Sequence, residues 1–66
     1  MILLLNGDKT ELPQGSTISD LLVLYGRSDS GVAVAVNLDV VPRQSFQTHE
    51  LKEGDRVDIV TAVGGG

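Results

Sequence analysis

A single stretch of this chain carries a helical rhythm, and it lies between segments that read as strands. Ile18, Leu21, Leu22 and Tyr25 fall at i, i+3, i+4 and i+7, the spacing that puts them on one face of a helix. Thr17-Ile18-Ser19-Asp20 has the form of a capping box, with Asp20 also favoured in the first turn by the helix dipole. Gly26 suits the position just past the end, where a left-handed residue closes a helix. A lone helix with one apolar stripe has no partner helix to bury it, so the strands must cover it.

The strand signals stand on both sides. Ile2 to Leu5 is a short apolar run ended by Asn6-Gly7, the strongest short hairpin signal, and Lys9 to Leu12 can return before Pro13 stops it. After the polar, loop-like Arg27 to Gly31, Val32-Ala33-Val34-Ala35-Val36 is a β-branched run with the alanines on the opposite face. Asn37-Leu38-Asp39 can turn the chain into Val40-Val41, and Pro42 keeps that return strand at a sheet edge. Arg43 to Leu51 has no clear period, Lys52 to Asp55 is a turn, and Arg56 to Val63 is a final strand. Along it Val57, Ile59, Thr61 and Val63 face one way, and Arg56, Asp58, Val60 and Ala62 the other.

The order β, β, α, β, short β, β is best satisfied by a mixed sheet of four to five strands packed on one helix. That is an α+β arrangement of the β-grasp, or ubiquitin-like, kind, with the first and last strands side by side at its centre. Residues 1–63 are expected to form the domain and residues 64–66 a flexible glycine tail.

Composition narrows what such a domain can do. At 66 residues the chain is one small domain, and a deep catalytic cleft is hard to build at that size. It has no cysteine and a single histidine, His49, so disulfides, thiolate chemistry and the usual zinc ligand sets are excluded. Nine acidic side chains against five basic ones give a net charge of -4, which would repel phosphate backbones. Tyr25 and Phe46, its two aromatics, provide no base-stacking platform, and nucleic acid is not an expected partner. The apolar start Met1 to Leu5 is too short for a secretory signal and lacks its basic flank, and no segment could span a membrane. Cytoplasmic residence is the expectation.

The last strand runs into Gly64-Gly65-Gly66. Three residues without side chains form an unbranched thread that reaches at most about 10 Å. Glycine passes a narrow channel, and no side chain crowds attack on the terminal α-carboxylate, which is ionised at neutral pH. Such a carboxylate is an oxygen nucleophile able to attack the phosphoryl centre of ATP. Taken alone, the tail reads equally well as a frayed end or an expression remnant.

The sequence resembles the ThiS family of sulfur carriers of bacterial thiamine biosynthesis, along nearly its whole length. The resemblance rests on the apolar first strand ending in Asn6-Gly7 and on the helix from Thr17 with Leu21-Leu22. More specific are Val34-Ala35-Val36-Asn37 followed by Val40-Val41-Pro42-Arg43, and Gly54-Asp55-Arg56-Val57-Asp58-Ile59-Val60 with Ala62-Val63-Gly64-Gly65-Gly66. It implies a ubiquitin-like fold and a cycle on Gly66. In that cycle an adenylyltransferase similar to the ubiquitin-activating enzymes adenylates the carboxylate with ATP. Sulfur from a cysteine desulfurase system then displaces the adenylate, and the resulting thiocarboxylate donates its sulfur to thiazole synthase. Gly64 and Gly65 would thread the partner's active site. The chain would be a protein co-substrate rather than an enzyme, with no bound cofactor, no metal and no catalytic residue, and a monomer when free. Leu38 stands where the family more often has glycine, and Phe46 where it commonly has tryptophan.

Other features carry duller readings. His49 is expected to face solvent with no role, and Arg43 receives none. Glu50, Glu53, Asp55 and Asp58 could form an acidic rim that steers a basic partner, or simply a solvated face. Val60 and Ala62 point away from the expected core and are candidates for an apolar docking patch, provided the register is not shifted by one residue. Alternatives to the thiamine carrier are a carrier like the molybdopterin-synthase small subunit, a modifier joined to lysines through Gly66, and a plain interaction module.

Overall fold

A computed structural model describes residues 1–26 and 31–61 of the chain. The described residues form five strands and one α-helix: β1 (Ile2–Leu5), β2 (Asp8–Glu11), α1 (Ile18–Tyr25), β3 (Val32–Val36), β4 (Asp39–Val41) and β5 (Arg56–Thr61). A short 3-10 turn at Arg43–Ser45 lies between β4 and β5. The sheet order is β2-β1-β5-β3-β4, with β5 parallel to β1 and antiparallel to β3. This is the mixed β-grasp sheet expected from the element order, with the first and last strands adjacent at its centre.

Alternation along each strand decides which face the helix covers. Leu3 and Leu5 of β1, Val34 and Val36 of β3, and Val57 and Ile59 of β5 are buried beneath Ile18, Leu21 and Leu22 of α1. A period of two from the strands thus meets a period of 3.6 from the helix in one core. Deleting a side chain such as Val57 or Leu21, each fully buried, would remove contacts from both layers at once.

The helix begins as its sequence dictates. Thr17 Oγ1 accepts from Asp20 N at 3.3 Å, and the Asp20 carboxylate accepts from Thr17 N at 3.0 Å, completing the capping box. Two further N-terminal donors are satisfied from outside the helix: Ile18 N bonds His49 O at 3.1 Å and Ser19 N bonds Phe46 O at 3.0 Å. At the other end Gly26, at φ 82°, donates to Leu22 O and Val23 O.

The stretch 43–51, which has no sequence period, is therefore a strap across the helix N-terminus. Its anchors are Phe46, 1% exposed, and Leu51, also buried. His49, expected to face solvent, is half-buried in the strap, because its carbonyl must approach the helix end. Tyr25 also differs from expectation. It completes the helical stripe in sequence but stays 42% exposed, because it sits in the last turn, past the three residues that the sheet covers. Its ring lines a shallow cleft with Leu5, Asn6, Thr10 and Leu24.

Candidate functional site

The candidate site is the end of β5 and the residues that continue it. Val63 and the tail residues Gly64, Gly65 and Gly66 lie outside the described residues, as does Ala62; the base from which they continue is described through Thr61. Five residues follow Thr61 through Gly66, a covalent reach of at most about 18 Å.

That base is held from both sides. Toward β3, the antiparallel register runs from Val36↔Val57 to Val32↔Thr61, the last residue of the strand. Toward β1, the parallel ladder is shorter: Gly54 N bonds Ile2 O at 2.8 Å, Leu4 N bonds Asp55 O at 2.9 Å and Asn6 N bonds Val57 O at 2.9 Å. There β1 ends, because Asn6 and Gly7 turn the backbone at φ 50° and 88°. This is the turn that Asn-Gly predicts, with positive φ at both central residues.

Two asparagines extend the pairing with their side chains. Asn6 Oδ1 accepts from Ile59 N at 2.8 Å, and its Nδ2 donates to Ile59 O at 3.3 Å. Asn37, at φ 52° in the second hairpin turn, accepts from Arg56 N at 3.1 Å through Oδ1 and donates to the Asp55 carboxylate at 3.0 Å through Nδ2. Neither residue is charged or nucleophilic, and the sequence expectation for both is a turn, with no bond to the final strand. The signal for them was present, since asparagine is among the few residues that tolerate positive φ and its amide matches a peptide group in donors and acceptors.

The acidic cluster does not form a rim. Asp55 is buried and spends its carboxylate on Lys52 N at 2.8 Å and on Asn37. Glu53 accepts from Ile2 N at 2.8 Å, which ties the turn before β5 to the first strand. Asp58 pairs with Arg56 at 3.1 Å on the open face of the sheet, a solvent-exposed contact worth at most about 1 kcal/mol. Glu50 remains exposed beside the bridge it forms with Thr17.

Val60 is 64% exposed on that open face, so the register is the expected one. It pairs with Ala33, and two residues along β3 on the same face Ala35 pairs with Val40, which is 77% exposed. On β1, Ile2 and Leu4 are also exposed, and the Arg56–Asp58 pair lies between them and the β3–β4 side. Val60 and Val40 are thus the exposed apolar residues on the β3–β4 side of this face, while Ile2 and Leu4 lie beside the start of β5, where Leu4 pairs with Arg56. Arg43 is an exposed residue of the 3-10 turn.

A family model described as the ThiS family matches residues 3–66. The chain belongs to the ThiS family. It is 29% identical over 66 residues to the sulfur carrier protein ThiS of Escherichia coli (strain K12), covering 100% of both chains. It is also 35% identical over 66 residues to a thiazole synthase of Paramagnetospirillum magneticum, where it spans 20% of that protein's length. Among solved structures, the thiamine biosynthesis protein (ThiS) from Geobacter metallireducens superposes with a TM-score of 0.84 at 28% identity, over 100% of each chain. The ThiS likeness extends over the β-grasp sheet described above, and the family match includes the three terminal glycines.

Proposed function

We propose that this ThiS family member is the sulfur carrier of thiamine biosynthesis, with Gly66 as the residue that bears the sulfur. The observation that carries this reading is the continuity of the central strand β5 with the glycine tail inside one family match through residue 66. A strand bonded on both edges provides a fixed root, and the glycines provide a thread that fits a narrow active site.

The chemistry follows from what a carboxylate can do. A carboxylate is a poor acyl donor, since its leaving group would be oxide. When a Gly66 oxygen attacks the α-phosphorus of ATP, pyrophosphate leaves and an acyl-adenylate forms on the activating partner. A persulfide sulfur supplied by a cysteine desulfurase system then adds to the acyl carbon and AMP leaves, exchanging a C–O for a C–S bond, and a thiol reductant cleaves the S–S bond of the resulting acyl disulfide to release the thiocarboxylate. The thiocarboxylate keeps sulfur nucleophilic without releasing sulfide. Thiazole synthase is the proposed acceptor, a reading supported by the thiazole synthases that contain a segment like this chain. In this scheme the chain supplies no acid, base or metal; it is consumed and regenerated as a co-substrate.

Docking is assigned to the open sheet face around Val60, and by the alternation of the sequence to Ala62. Val60→Glu would put a charge into an apolar contact, and should raise KM for the activating partner about tenfold. Stability should change by no more than about 0.5 kcal/mol, because the side chain is exposed.

The deciding experiment is the intact mass after incubation with the activating partner, ATP and a sulfur source. A gain equal to one oxygen replaced by one sulfur, mapped to Gly66, is the expected result. No change with a partner that activates another carrier overturns the proposal, as does isopeptide linkage to lysines. One residue added after Gly66 should abolish the gain and leave unfolding unchanged.

A further inference from the structure

We infer that Asn6 is a positioning residue for the tail: its side-chain amide replaces a missing strand residue and fixes where β5 points. This rests on the carrier reading of Gly66, and goes beyond it by assigning the direction of delivery to one side chain in the first hairpin.

The geometry is that of an interrupted ladder. In a parallel pair, successive rungs of β5 would be bonded in turn by peptide groups of β1, and Asn6 N to Val57 O is the last such rung. The next two groups on that edge of β5, Ile59 N–H and Ile59 C=O, would fall to the peptides that follow in β1. Those peptides turn away into β2, since Leu5 already pairs with Asp8. The Asn6 amide presents one acceptor and one donor in their place, at 2.8 and 3.3 Å. Asn6 thereby makes the turn with its backbone and continues the strand with its side chain.

The consequence lies at the root of the tail. Among the described residues, β3 alone bonds β5 through the backbone beyond Val57, so without the amide the strand is held on one edge and can pivot about it. Ile59 is adjacent to Val60 on the docking face and two residues before Thr61. The clamp therefore fixes the course of β5 through Ile59 toward Thr61, the last described residue before the tail. A thread of fixed length brings its tip to a partner's reacting atom only if its root is held, and a displacement near 1 Å can cost about a hundredfold in rate.

Asn6→Gly is the informative substitution, because glycine keeps the positive φ and removes the amide. Amide exchange at Ile59 should accelerate about tenfold relative to core amides such as that of Val34. In steady-state activation, with the carrier as varied substrate, kcat should fall about tenfold with a smaller change in KM, since the exposed Val60 side chain itself is retained. Asn6→Asp keeps the acceptor for Ile59 N–H but sets a carboxylate against Ile59 C=O, and should lie between wild type and Asn6→Gly in the NH exchange and near Asn6→Gly in kcat. Ile18→Val, a core truncation on the helix side, should lower stability without moving kcat.

Several results would overturn the assignment. Ile59 exchange no faster than in wild type removes the clamp. A normal kcat for Asn6→Gly, or an equal loss in Ile18→Val, removes the positioning role and reduces Asn6 to a structural residue. A wild-type chain that a competent partner does not activate removes the carrier reading itself, and the positioning role with it.

Discussion

Asn6-Gly7 and Asn37-Leu38 close two hairpins on opposite sides of β5 with nearly the same backbone: φ 50° and 88° in the first, 52° and 72° in the second. In both, the asparagine turns the chain and reaches back to bond the central strand. They differ in what that bond secures. Asn37 holds the start of β5 and a buried carboxylate, Asp55, whereas Asn6 holds Ile59, near the strand's end. They differ also in the second turn residue, which is glycine in one and leucine in the other. One turn device thus secures the start of the strand and a buried carboxylate in one case, and the strand's later half in the other.

The same substitution at both asparagines sharpens that contrast, because glycine preserves each turn and deletes each amide. Asn37→Gly should be the costlier, at about 2–3 kcal/mol, since it removes a hydrogen bond to a buried charged group as well as one to Arg56 N. Asn6→Gly removes two bonds to backbone in a part-buried setting and should cost about 1–2 kcal/mol. Urea unfolding of the two variants under one condition reads the difference directly. Equal losses, or a larger loss at Asn6, would break the assignment of Asn37 to the core and Asn6 to the strand end.

How far these roles were legible follows from what each residue's neighbours are. The helix and strands follow from periodicity, and the Asn6-Gly7 hairpin from the dihedral demands of its turn, because those signals are local in sequence. Even the facing of Val60 followed, since a buried Val57 and Ile59 fix the alternation. Asp55 fits neither the acidic rim nor the solvated face offered for its cluster, because its partners, Lys52 N and the Asn37 amide, are a backbone group and a residue 18 positions away. Charge patterning records neither. The strap around Phe46 had no period because it is bonded to the helix terminus rather than repeated along an element. Tyr25 kept the helical phase but lost its cover, a matter of where the sheet ends rather than of spacing. At the candidate site the tail was legible by composition, while the amides that hold its base appear only once β5 is set beside both turns.

The smallest effect separates the two turns at their second residue. Leu38 is 72% exposed at φ 72°, so its side chain gains little from burial while its Cβ bears the steric cost of the left-handed region, about 1–2 kcal/mol for an L-residue. Gly7 carries no such cost at φ 88°. Leu38→Gly should therefore stabilise the chain, but by less than the full strain, since glycine also widens the unfolded ensemble by about 0.5–1 kcal/mol. The net gain expected in the unfolding midpoint corresponds to about 0.5–1 kcal/mol. A stabilised variant with unchanged activation by the partner would mean that leucine here is a tolerated strain. Should Leu38→Gly instead raise KM at improved stability, the leucine belongs to the apolar surface shared with Val40 and Val60, and the second turn would serve docking as the first serves delivery.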